Sequence, residues 1–133
     1  MQRPYFPVRP CLLTKKHKTA VPVTPSIDSL LYSPDGETCK KSYDRNTMYV
    51  TQAPQGYIME RILWAHDEAE KRGITNPISS SELFIELGES VHLFKGERFN
   101  IKVTTPEDLV TLRAQFYYEN YKKFAKEELK YGL

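Results

Sequence analysis

Lys102 stands three residues ahead of Thr105-Pro106-Glu107-Asp108, a run in which every position suits the start of a helix. The Thr105 hydroxyl can cap exposed backbone N–H groups, Pro106 fits the first helical position, and Glu107 and Asp108 complement the positive end of the helix dipole. If Asn100 to Val103 is a strand, Ile101 and Val103 share one face and Lys102 takes the other. The ammonium then stands clear of the core beside a helix N-terminus, an arrangement suited to a phosphate. A capped strand–helix junction with a solvated lysine is the other reading of the same residues. Arg45, within Asp44-Arg45-Asn46, offers a planar fork of donors that matches a phosphate monoester.

The elements that would position these side chains read as strands and helices in alternation. Thr19 to Val23 is an apolar run of strand length. Ile27 to Tyr32 and Glu37 to Tyr43 flank Ser33-Pro34-Asp35-Gly36, where proline presets the turn and glycine accepts positive φ, so a hairpin is expected. Its Ile27, Leu30, Leu31 and Tyr32 need cover, from the same domain or from a second subunit. Ile58, Ile62, Ala65 and Ala69 recur on one helical face that Gly73 closes. Ser79 with Glu82 opens a short helix ending at Gly88, and Val91 to Phe94 reads as a strand. The last helix starts at Pro106 and carries Val110, Ala114, Tyr117, Tyr121 and Phe124 on one face, a stripe suited to intramolecular packing or to a partner.

Residues 1–18 are expected to be an irregular lead-in, punctuated by Pro4, Pro7 and Pro10. The run Lys15-Lys16-His17-Lys18 reads as a solvated loop or a small phosphate-gathering patch. With 133 residues, 40% hydrophobic and 27% charged, the chain is sized for one domain with a core. A net charge of +2, with basic and acidic residues interleaved, argues against a nucleic-acid or anionic-membrane partner. No apolar run approaches bilayer-spanning length and the start lacks the apolar core of a signal peptide, so a cytoplasmic protein is expected. Cys11 and Cys39 are too few and too far apart for a zinc motif, and reduced thiols are expected.

Asn100 to Leu109 resembles the carboxy-terminal motif of the 2-C-methyl-D-erythritol 4-phosphate cytidylyltransferase family, which ribitol-5-phosphate cytidylyltransferases share. Asp44-Arg45-Asn46 followed by Gln52-Ala53-Pro54-Gln55-Gly56-Tyr57, and upstream Ala20-Val21-Pro22-Val23, resemble further segments of the same family in the same order. The resemblance implies an α/β fold, the C-terminal half of a Rossmann-like nucleotidyltransferase with a projecting hairpin arm at 27–43 that reaches across a homodimer. Residues 19–116 would form that partial domain and 117–133 a helical extension. The implied chemistry is formation of a CDP-alcohol from CTP and a sugar-alcohol phosphate, with magnesium as the expected cofactor. By position, Arg45, Lys102 and Ser26 would hold the acceptor phosphate, and Arg9 would join them. Two departures stand out. No glycine-rich CTP loop is present in the sequence, so CTP would bind only if an N-terminal half is supplied, and Phe6 stands where a metal-binding aspartate is expected. A non-catalytic dimerisation or regulatory module built on the same half-fold is therefore the alternative.

Overall fold

The computed structural model describes the backbone of residues 8–131 and the side chains of residues 10–122. Two compact units divide the chain, Met1–Glu97 and Arg98–Leu133.

The first unit is organised around β1 (Thr19–Pro25), whose first five residues are buried. β4 (Tyr49–Thr51) and β5 (Gly56–Tyr57) pair antiparallel with it and β6 (Leu93–Lys95) pairs parallel, giving a mixed sheet. Val23 pairs with Thr51 on one side and Lys95 on the other, so β1 is central. Proline inside a central strand ordinarily costs a ladder hydrogen bond. Pro22 accepts from the Gln52 amide at 2.9 Å and so faces the antiparallel edge, which is interrupted beside it between β4 and β5. The missing donor falls at the gap.

α2 (Met59–Lys71) and α3 (Ser80–Glu86) close the core with Ala65, Ala69, Leu83, Phe84 and Leu87. Phe84 and Leu83 are fully buried, and Tyr57 stacks on Phe84 with ring centroids 5.0 Å apart. The expected stops hold: Gly73 and Gly88 take φ values of 71° and 85°, and Ser79 accepts the Glu82 amide at 3.3 Å.

The expected hairpin forms as β2 (Leu30–Tyr32) against β3 (Lys41–Tyr43), with Leu31 opposite Ser42. Its connection is wider than a tight turn because Asp35 gathers the loop. One carboxylate oxygen accepts from Ser33 Oγ at 2.7 Å, the Thr38 amide at 3.0 Å and the Glu37 amide at 3.1 Å, and the other accepts from Thr38 Oγ1 at 2.8 Å. These donors, the Thr38 amide foremost, hold the carboxyl well below the usual range.

Two expectations are corrected. The lead-in expected to be irregular over residues 1–18 holds a helix, α1 (Val8–His17). Pro10 lies in its first turn, where an absent N–H is harmless, so proline at this spacing does not exclude a helix. Thr14 is buried in α1 and packs on Gly56 of β5, where a side-chain Cβ would collide with its hydroxyl. The strand expected at residues 100–103 is absent, and the segment is irregular.

In the second unit α4 runs unbroken over Pro106–Tyr131, without a boundary at 117. Val110, Phe116, Tyr117 and Tyr121 are exposed along it. Phe124 lies outside the described side chains.

Candidate functional site

Ser26 follows β1 directly, and its amide donates to the Met48 carbonyl at 2.9 Å, which ties the end of the central strand to the segment entering β4. That segment is a short 3-10 turn, Arg45–Thr47. Asp44 caps it, accepting the Asn46 amide at 3.0 Å and the Asn46 side chain at 2.9 Å, while Thr47 Oγ1 donates to the Asp44 carbonyl at 2.8 Å. Asp44 and Asn46 thus fix the turn that presents Arg45. The exposed Arg45 guanidinium donates to the Ile27 carbonyl at 3.5 Å, beside Ser26. Ser26 Oγ donates to the Asp28 carbonyl at 3.1 Å. Two of the four residues selected from sequence are therefore brought to adjacent positions at the base of the arm. Both bonds are long or neutral, so a phosphate offering charged acceptors competes well for the same donors.

Lys102 lies exposed on the irregular segment of the second unit. The helix start beyond it is already provided with an anion, since Asp108 Oδ2 accepts from the Thr105 amide at 2.8 Å, the Thr104 amide at 2.9 Å and Thr104 Oγ1 at 2.9 Å. These bonds, the Thr104 amide first, lower the Asp108 carboxyl to about 2. Asp108 does more than complement the helix dipole: its spacing from Thr105 is that of a capping box. The side chain of Arg9 lies outside the described residues.

Gln52 and Gln55 were not selected from sequence. The Gln52 side chain donates to the Glu97 carbonyl at 2.8 Å and packs against Gly96, where an added Cβ would meet its Oε1. It thereby bridges the end of β4 to the exit of β6. Gln55 accepts from the Tyr57 hydroxyl at 2.7 Å and donates to Ser81 Oγ at 3.3 Å, and Ser81 lies 2.9 Å from Ser79 Oγ. Burial pushes the Tyr57 hydroxyl up to about 12, so it remains a donor. Their signal was a polar pair flanking a proline between two strands, which does not distinguish a clamp from a surface loop. Among the described residues no cluster of three His, Cys, Asp or Glu side chains could hold a metal ion, and no helix is long and apolar enough to cross a membrane.

The family model for 2-C-methyl-D-erythritol 4-phosphate cytidylyltransferase matches residues 8–120. A curated relative of that name from Geobacillus thermodenitrificans is 38% identical over 80 residues, covering 60% of this chain and 35% of the relative. A ribitol-5-phosphate cytidylyltransferase from Vibrio parahaemolyticus is 29% identical over 100 residues, covering 75% of this chain and 42% of the relative. The crystal structure of the 2-C-methyl-D-erythritol 4-phosphate cytidylyltransferase of Thermus thermophilus superposes with a TM-score of 0.66 at 32% identity, covering 78% of this chain and 50% of that one. For the 4-diphosphocytidyl-2C-methyl-D-erythritol synthase of Anaerococcus prevotii the TM-score is 0.73 at 23% identity, a likeness of fold, over 83% of this chain and 49% of that one. The chain spans less than half the length of these curated relatives.

Proposed function

We infer function from one premise: the chain belongs to the 2-C-methyl-D-erythritol 4-phosphate cytidylyltransferase family. Its proposed role is the acceptor-binding and dimerising half of an enzyme that makes a CDP-alcohol. In that reaction a phosphate oxygen of the sugar-alcohol phosphate attacks the α-phosphorus of CTP, a new P–O bond forms, and the bond to the pyrophosphate leaving group breaks. Cationic donors neutralise the charge spread over the phosphoryl oxygens.

The observation that supports this reading is the Arg45 guanidinium on the Ile27 carbonyl, next in the chain to Ser26, with the turn fixed by Asp44 and Asn46 and Ser26 tied to Met48. Arg45 supplies charge and a planar fork, Ser26 a hydroxyl, and Lys102 and Arg9 are the further cations carried over by resemblance. The arm at 27–43, with Ile27, Leu31 and Tyr32 exposed, is proposed to pair with a second subunit. Magnesium, carried over by resemblance, would be held by substrate phosphates as much as by protein carboxylates. A dimerisation or regulatory module that retains the acceptor half is the second reading.

Incubation of the chain with CTP, magnesium and either ribitol 5-phosphate or 2-C-methyl-D-erythritol 4-phosphate separates the possibilities. The expected result is no CDP-alcohol together with saturable binding of the sugar-alcohol phosphate. Product formation overturns the need for a second half, and failure to bind either acceptor overturns the acceptor role.

A further inference from the structure

His17 is the last residue of α1 and His92 immediately precedes β6, 75 positions later in the chain, yet their imidazole rings stack with centroids 3.6 Å apart and planes 5° from parallel. The surrounding backbone joins three elements at this point. Lys18 leaves α1 with φ 68°, its amide donates to the Thr14 carbonyl at 2.8 Å, and its carbonyl accepts the Ile58 amide at 3.0 Å. The His92 amide donates to Thr19 Oγ1 at 2.8 Å, and the His92 carbonyl accepts the Val21 amide at 2.9 Å. The stack therefore sits where α1, β1 and the start of β6 meet. A left-handed non-glycine residue persists only where its surroundings hold it.

We propose that the stacked imidazoles of His17 and His92 form a pH-sensitive latch that pins the C-terminal end of α1 to the strand β6 and opens when both rings are protonated. Two neutral rings stack face to face without penalty, and one proton leaves an imidazolium against a neutral ring. A second proton places two positive charges at van der Waals separation in a half-buried position. The neighbouring charges reinforce this. Lys16 on α1 adds a third positive charge, β1 contributes no titratable side chain, the Glu89 carboxylate ahead of His92 is held by Arg61 at 2.6 Å, and the Tyr57 hydroxyl of β5 is bonded to Gln55. Burial first, then His92, then Lys16 hold His17 below the ordinary histidine range. The unfolded chain takes up both protons freely, so the latch contributes fully above that range and is lost as pH falls through it.

Hydrogen exchange at the Lys18 and Ile58 amides reads the latch directly. Between about pH 7.5 and about pH 5, after correction for intrinsic exchange, protection of both should fall roughly tenfold or more in the wild type. In His92→Phe, which keeps a flat stacking ring but takes no proton, that fall should disappear. An equal fall in wild type and variant, or none in the wild type, overturns the proposal. NMR titration of the unmodified chain provides a second measurement. The His17 imidazole is expected to take up its proton below the ordinary histidine range, and a His17 step within that range overturns the latch.

Discussion

Thr105 and Asp108 cap each other across the first turn of α4: the Asp108 amide donates to Thr105 Oγ1 at 3.3 Å and the Thr105 amide donates to Asp108 Oδ2 at 2.8 Å. This reciprocal pair satisfies backbone donors that would otherwise be open to an anion. An incoming phosphate beside Lys102 has to compete with a carboxylate supplied by the chain itself.

Removing the cap should fray the helix. Thr105→Ala is expected to cost about 1 kcal/mol, read as a lowered thermal midpoint with loss of helical signal. Asp108 titrates at about 2 in the fold against an ordinary 3.8, so its contribution is present above the ordinary value and is lost as pH falls towards the folded one. Circular dichroism in acid should show this loss in the wild type and a flatter profile in Asp108→Asn; identical profiles would remove Asp108 from the account.

Sugar-alcohol phosphate should raise the unfolding temperature by linkage. Charge-assisted hydrogen bonds contribute roughly 1.5–3 kcal/mol each, so Arg45→Ala and Lys102→Ala should each weaken binding about tenfold or more. Equal stabilisation of all three proteins across a salt series would show that the anion acts elsewhere.

Gly56 and Thr14 should be coupled. A methyl at residue 56 meets the Thr14 hydroxyl at a separation that packed atoms do not tolerate, so Gly56→Ala is expected to destabilise by about 1–3 kcal/mol. Thr14→Ala removes that obstacle, and the double variant should lose less than the two single losses added together. Strict additivity in denaturant titrations would mean that the cost of Gly56→Ala arises from something other than this contact.

The arm should govern association. Leu31 is 67% exposed and Leu30 lies opposite Tyr43 in the two-stranded sheet. Replacing both leucines by aspartate should shift a homodimer towards monomer in sedimentation at micromolar concentration. A wild type that sediments as a monomer under those conditions would refute the arm model.

The sequence by itself determined what depends on a few neighbouring residues and on resemblance. Gly36, Gly73 and Gly88 all adopt the positive φ that their turn and stop positions required, Ser79 and Thr105 cap the helices they precede, and β1 begins at Thr19 as the apolar run indicated. The ordered motifs around Arg45 and Lys102 also sufficed to place the chain in its family. The tertiary structure decided what depends on distant partners. The helix at Val8–His17 packs buried Thr14 on Gly56, a partner that proline spacing does not reveal. The 100–103 segment has strand-like alternation but pairs with no strand among the described residues, and an isolated run has no ladder to satisfy its backbone. Arg45 reaches the Ile27 carbonyl beside Ser26, and His17 stacks on His92, because the pairing of β1 with β4 and β6 draws remote segments together. Caps and turns are encoded locally, whereas pairing across the sheet is settled only when the central strand chooses its neighbours.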